Sequence, residues 1–255
     1  VISTDSPARG VALFFGPHPD DIELFAGGTA ARLARLGHRV VLVDLTRGEL
    51  ASNGTPELRA REAAEAARAL GAAERRNLAL PDGALDASDR DQMSAVAKCI
   101  REVRPDVVFA PAPAGRHPDH EATCELVRRA VFHAGLARAP IEGERHTPGH
   151  VLHYICRVDL TPTLLVPLDP EDIAAKARAI AAHASQVGRG PNATLVGSGT
   201  FPEILEARDR TWGAHAGTRA AEPFVSARVP VDDDPIASAL AHPASSVHWL
   251  RELTR

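Results

Sequence analysis

The chain has 255 residues, 44% of them hydrophobic and 24% charged, enough to bury about 70–75% of its unfolded surface as one large domain or one with an appendage. Lys and Arg number 29 against 33 Asp and Glu, a formal charge of −4, which supplies no extended basic field and excludes nucleic acid as a partner. The longest apolar stretches, Val40 to Leu45 and Leu164 to Leu168 among them, fall far short of the ~20 residues of a spanning helix. Val1 to Gly10 lacks the charged start and apolar middle of a secretory signal, so a cytoplasmic, membrane-free protein is expected. Cys99, Cys124 and Cys156 are widely spaced and form no CxxC pair, and they read as buried small hydrophobes of a reducing compartment.

In chain order, the apolar run Ala12 to Phe15 reads as a strand stopped by Gly16-Pro17, and residues 21–36 carry Ile22, Phe25, Leu33 and Leu36 at helical spacing. Val40 to Leu45 then suits a strand covered on both faces. Pro56 opens a helix to Leu70 that Gly71 closes. A strand at Asn77 to Leu80, a helix at Ser88 to Arg104, a strand at Val107 to Ala110 and a helix at Glu121 to Ala134 continue the alternation. Such alternation predicts an α/β fold, a mostly parallel, Rossmann-like sheet with helices on both faces and a site at the carboxyl ends of the strands. A Pro/Gly/His-bearing segment, 139–150, separates this core, residues 11–138, from a smaller C-terminal cap, residues 150–230, within one domain. The cap reads as strands at Val151 to Val158 and Thr163 to Val166, a helix at Glu171 to Ala184, and a Gly-rich covering loop from Val187 to Thr200. A helix at Pro202 to Trp212 and a strand at Glu222 to Val229 complete it.

Twice the chain leaves an apolar strand and presents His-Pro-Asp followed by another metal-capable residue: His18-Pro19-Asp20-Asp21 and His117-Pro118-Asp119-His120. Either motif alone also reads as a helix N-cap with acidic residues on the positive end of the dipole. Together, each behind a predicted strand, they suit a catalytic metal, which takes three protein ligands and leaves a position open. His18, Asp21 and His120 supply that count, leaving Asp20 and His117 unligated beside it. A His₂Asp set accepts zinc, and also Fe(II), Co or Mn. No GxxxxGK[ST], GxGxxG or GxSxG occurs, so nucleotide loops and a serine-hydrolase elbow are unsupported.

These two motifs, with Ser52-Asn53-Gly54-Thr55, Glu57-Leu58-Arg59, Pro81-Asp82, Ser185-Gln186 and Glu222-Pro223-Phe224, resemble the LmbE-like, or PIG-L, zinc-dependent N-acetylglucosamine deacetylases over roughly residues 11 to 225. Within the family the chain resembles the bacillithiol-biosynthesis branch, which deacetylates N-acetylglucosaminyl malate. The resemblance implies one zinc per chain on His18, Asp21 and His120, Asp20 as general base, and His117 and Arg59 stabilising the oxyanion, with Asp119 orienting His117. It also places Arg116 on the malate carboxylates, Asn53 and Gln186 on sugar hydroxyls, and His183 and His215 near the pocket mouth. A homo-oligomer is implied, a hexamer built from trimers. The chain departs from the family at Phe201, in the stretch where relatives carry a tyrosine that helps hold the oxyanion; the one tyrosine here is Tyr154. Inositol, thiol or chito-oligosaccharide conjugates are alternative substrates. A non-catalytic metal- or sugar-binding homologue is the alternative class, disfavoured by the unligated Asp20. A two-metal phosphoesterase would call for more ligands than this one set.

Overall fold

The computed structural model describes residues 9–113, 117–156, 160–188, 190–192 and 194–226. In chain order the elements are β1 (Val11–Gly16), α1 (Asp21–Arg35), β2 (Arg39–Thr46), α2 (Pro56–Leu70), β3 (Glu74–Leu80), α3 (Arg90–Val103), β4 (Val107–Pro111) and α4 (Pro118–Gly135). They continue with β5 (His150–Tyr154), β6 (Leu164–Pro167), α5 (Pro170–Ala182), α6 (Ala184–Val187), α7 (Phe201–Ala216) and β7 (Ala221–Ser226). The seven strands form one sheet in the order β3-β2-β1-β4-β5-β7-β6. The first five run parallel, and β7 runs antiparallel to both β5 and β6. The chain winds outward from β1 through β2 to β3, then starts again at β4. The gap beyond the carboxyl ends of β1 and β4 is therefore a topological switch point, where open α/β sheets place their ligands.

Alternation along the strands divides the core in two. Ala12 and Phe14 of β1 face a layer with Ile22, Phe25 and Ala26 of α1, Ala66 and Leu70 of α2 and Ala179 of α5. Leu13 and Phe15 face the other layer, with Val96 and Ile100 of α3 and Leu126 and Val127 of α4. Both faces are covered, which is why the parallel strands are continuously apolar. Helix ends follow local chemistry. Thr55 caps α2 by accepting the Leu58 N–H at 3.3 Å, and Gly71 closes it in the left-handed conformation. Asp89 accepts from Asp91 and Gln92, so α3 begins at Arg90 rather than at Ser88.

Two C-terminal elements differ from expectation. The helix expected from Glu171 to Ala184 breaks at His183 (φ −81, ψ 50), and the single turn α6 follows. The strand expected to reach Val158 ends at Tyr154, and of the one expected from Glu222 to Val229 the part to Ser226 is strand, positions 227–229 lying outside the described residues. The strands of the cap are not a separate layer: β5, β7 and β6 extend the core sheet, and the covering elements are α5, α6, α7 and the segment between α6 and α7. No helix among the described residues is long and apolar enough to cross a membrane.

A buried ionic cluster joins cap to core. Lys176 Nζ donates to Asp209 at 2.6 Å and to Glu222 at 2.7 Å, and Glu222 also accepts the backbone N–H groups of Gly28 and Thr29 at 2.9 and 2.6 Å. A Cβ at Gly28 would lie 2.5 Å from Leu168 Cδ1, so a larger residue there would have to displace the buried Leu168 side chain. Removing one partner of a buried pair strands its charge. Lys176→Met is expected to destabilise the fold by about 3–5 kcal/mol in urea unfolding, and a loss below about 1 kcal/mol would mean the cluster contributes little.

Candidate active site

The turn after β1 brings the first motif together. Asp20 sits at φ 140, a conformation non-glycine residues rarely adopt. The turn folds His18 back on Asp21: the backbone N–H of His18 donates to Asp21 Oδ2 at 3.0 Å, and His18 Nδ1 lies 3.1 Å from the same oxygen. Thr46, at the end of β2, holds the turn from below, its N–H and hydroxyl donating to the Pro17 carbonyl at 3.0 and 2.9 Å.

The second motif is itself a helix start. Pro118 occupies the first position of α4, and His117 is the N-cap, its Nδ1 accepting the Asp119 N–H at 3.3 Å. The helix thus begins three residues earlier than the expected Glu121, because proline at the first position needs no N–H partner. One turn on, His120 Nε2 lies 3.1 Å from Asp21 Oδ1. The two motifs therefore meet across the β1/β4 gap as expected.

Two three-residue sets place their donor atoms within 4.8 Å of one another: His18, Asp21, His120 and His18, His117, Asp119. The first fits a metal better. Asp21 and His120 are buried, and the Asp21 carboxylate bridges the two imidazoles. In the second, His117 is exposed and Asp119 is already engaged, accepting from Gly83 N–H at 2.9 Å and lying 3.1 Å from His18 Nε2. The Asp119 carboxylate thus hydrogen-bonds His18 while its backbone N–H meets His117, and its charge acts on the nearby His117 ring, favouring the protonated form against burial. With Nδ1 of His117 accepting, the neutral ring carries its proton on Nε2, as a donor. Burial, followed by the neighbouring His18 and His120, lowers the His117 pKa, so the neutral form is favoured.

The electrostatics of the site are set by burial and by its carboxylates. Burial opposes charge on His18, yet Asp119, Asp21 and Asp82 outweigh it and push its pKa up to about 12. His120 likewise rises to about 10, burial being overcome by Asp21. Both rings hold protons at neutral pH that metal ligation must displace. Metal binding at pH 7 is therefore expected to release about two protons per ion, and affinity is expected to rise with pH across the neutral range. Calorimetry in buffers of different ionisation enthalpy measures this, and zero release would contradict the ligand set. Burial is also the main influence on Asp20; opposed by Arg59 and reinforced by Asp21, it raises that carboxyl to about 6.

Arg59, buried on α2, pins the turn, donating to the carbonyls of Pro19 at 2.7 Å and Gly48 at 3.2 Å, with Nη2 3.4 Å from Asp20 Oδ2. Gly48, at φ +65, is required here, since a Cβ would lie 2.0 Å from Arg59 Nη1. A cavity of about 510 Å³ opens over these groups, walled by Leu24, Phe25, Leu50, Leu195, Val196 and Phe201.

Other expected site residues fall differently. Asn53 uses its side chain on the covering segment, donating to the Asn192 carbonyl at 3.0 Å and accepting the Asn192 N–H at 3.2 Å, so it ties the cover down instead of facing sugar. Gln186 lines the cavity, but its amide donates to Asn53 O and Ser185 Oγ at 2.8 and 2.9 Å. Arg116 lies outside the described residues. His183 is fully buried beside Glu23, 3.4 Å away, not at the mouth, and exposed His215 packs on Trp212, away from the cavity. Tyr154 is core, its hydroxyl donating to the Phe15 carbonyl at 3.0 Å, so it does not replace the tyrosine missing at Phe201; Ser52 and Thr194 are the hydroxyl residues in the described lining.

Sequence reasoning did not single out Asp82, whose Oδ1 lies 3.1 Å from His18 Nε2 while Oδ2 accepts the Leu50 N–H at 2.8 Å. The signal was present in the Pro81-Asp82-Gly83 turn that ends β3 at the carboxyl edge. It also passed over Cys156, which is not fully buried but stands in the cavity wall, Sγ 3.5 Å from His120 Nδ1.

The family model PIG-L, described as GlcNAc-PI de-N-acetylase, matches residues 13–131. The 1D-myo-inositol 2-acetamido-2-deoxy-alpha-D-glucopyranoside deacetylase of Kineococcus radiotolerans is 34% identical over 60% of this chain and 52% of its own, so the chain spans about half the length of the first curated relatives it matches. The protein of the same name from Rhodococcus erythropolis is 30% identical over 69% of this chain and 80% of its own. The probable N-acetyl-alpha-D-glucosaminyl L-malate deacetylase 2 of Bacillus cereus is 32% identical over 52% of this chain and 66% of its own. Among solved structures, the conserved protein TT1542 from Thermus thermophilus superposes with a TM-score of 0.79 at 42% identity, covering 88% of this chain and 97% of that one. With the paired His-Pro-Asp motifs meeting at the switch point of the same fold, the chain belongs to the PIG-L, or LmbE-like, de-N-acetylase family.

Proposed function

We propose that the chain is a metal-dependent hydrolase that removes acetate from an N-acetylglucosaminyl conjugate. The observation that carries this reading is a carboxylate, Asp20, standing beside a His₂Asp set but outside it, on the floor of a cavity at the carboxyl edge of the sheet. His18, Asp21 and His120 would hold the metal, and zinc is the first choice for a site of nitrogen and carboxylate donors, with Fe(II), Co or Mn accepted by the same ligands. When bound, the ion supplies Lewis acidity and lowers the pKa of water. Asp20 accepts the proton of the attacking water and returns it to the departing amine. His117 Nε2–H and the Arg59 guanidinium are the donors for charge developing on the amide oxygen. Asp82 and Asp119 hold His18 from its far nitrogen, and Phe25 and Phe201 help exclude bulk water.

The stretches shared with the bacillithiol branch, and the Bacillus cereus relative, support malate as the aglycone, with Arg116 as its carboxylate partner. The two inositol-conjugate deacetylases at 34% and 30% identity support an inositol aglycone as the second reading. Comparing kcat/KM for N-acetylglucosaminyl malate, its inositol counterpart and N-acetylglucosamine separates them. We expect malate to be preferred and Arg116→Ala to abolish that preference; an inositol preference unaffected by Arg116→Ala would reverse the order. A cytoplasmic location and a hexamer of two trimers belong to the same proposal.

A further inference from the structure

An imidazole that ligates through one nitrogen carries its proton on the other, and the group that this N–H meets sets the ring's tautomer and tilt. The far nitrogen of His18, Nε2, meets two carboxylates, Asp82 and Asp119, each at 3.1 Å. His120 turns Nε2 toward Asp21, and its far nitrogen, Nδ1, meets sulfur instead: Cys156 Sγ at 3.5 Å.

The position of that sulfur is fixed by the fold. Cys156 lies two residues beyond β5, and its neighbour Ile155 is held on both sides, its N–H donating to the Pro223 carbonyl at 3.2 Å and its carbonyl accepting from Arg208 at 3.1 Å. Arg208 is in turn clamped by Asp209 at 2.9 and 2.6 Å, and Asp209 by Lys176. The ionic cluster that joins cap to core therefore also sets the end of β5 against the first turn of α4.

We infer that Cys156 is a positioning residue for the metal site: its sulfur accepts the Nδ1–H of His120 and holds the ring in the tautomer that leaves Nε2 free to ligate. The inference rests on reading His18, Asp21 and His120 as the ligand set. One ligand histidine is then backed by two carboxylates and the other by a thiol, so His120 is the ligand whose hold on the ion a single neighbour alters most.

The test is a zinc titration of the metal-free full chain against a chromophoric chelator, together with the visible spectrum of the Co(II)-loaded protein, for wild type, Cys156→Ala, Cys156→Ser and His120→Ala. Loss of a partner behind a ligand histidine commonly weakens metal affinity about 10–100-fold. Cys156→Ala is expected to fall in that range with altered Co(II) bands and an unchanged thermal midpoint of the metal-free form, and Cys156→Ser, which restores an acceptor, to recover most of the affinity. Wild-type affinity and an unchanged Co(II) spectrum in Cys156→Ala would overturn the inference and leave the ligand set standing. Wild-type affinity in His120→Ala would remove the ligand set itself. Should Cys156→Ala fail to fold, long-range ¹H–¹⁵N spectra of the zinc-loaded wild type decide: a protonated Nδ1 on His120 is expected, and a protonated Nε2 overturns the inference.

Discussion

Asp20→Asn is expected to lower kcat by about 10²–10⁴, the usual contribution of general base catalysis, while bound metal stays at one ion per chain. The substitution is isosteric and leaves the backbone and its neighbours unchanged in size, so the fold of the turn is expected to survive. Its carbonyl oxygen can still accept from Arg59, which approaches Asp20 Oδ2 at 3.4 Å. What the amide cannot do is take up a proton. Asp20 is not one of the proposed ligands, so metal content measured by atomic emission is the control. Near-normal turnover at full metal loading would remove Asp20 from the base role and leave its strained backbone without a functional reason.

The second large effect separates the two possible ligand sets, which share His18. His120→Ala is expected to bring bound metal below one ion per chain after dialysis, since three protein groups are the usual minimum for a catalytic metal. His117→Ala, by contrast, is expected to keep its metal and lose about 10²–10³ in rate, the cost of one oxyanion donor. Packing gives the reason for the difference. His120 faces Asp21 from inside the first turn of α4, whereas His117 is exposed and uses Nδ1 on the helix N-terminus. Metal retained in His120→Ala and lost in His117→Ala would reverse the assignment and make Asp119 a direct ligand of the ion.

Much of this arrangement was legible in the residues. The alternation of apolar runs with amphipathic segments gave the parallel sheet, because both faces of such strands must be covered. Two His-Pro-Asp turns, each behind a strand, gave the ligand-bearing edge, because proline and the following acid act locally. Side chains whose roles depend on distant partners were not legible. Asn53 looked free to bind sugar until the covering segment, 139 residues away in sequence, was seen to use both ends of its amide. Asp82 needed β3 to lie two strands from β1 on the same edge before its carboxylate could reach His18. Cys156 read as core, because no local pattern tells that a sulfur after β5 will face a histidine on α4. His183 was misplaced for the same kind of reason: a break after α5 turns it inward, beside Glu23, although it borders the covering segment.

The most direct measurement of the central claim is acetate released from N-acetylglucosaminyl conjugates by the purified protein, metal-loaded, chelated and reloaded. The account predicts release that the chelator abolishes and added zinc restores. Release that persists in the stripped protein would contradict it, and so would no release from any conjugate with one ion still bound per chain, which would return the site to a binding role.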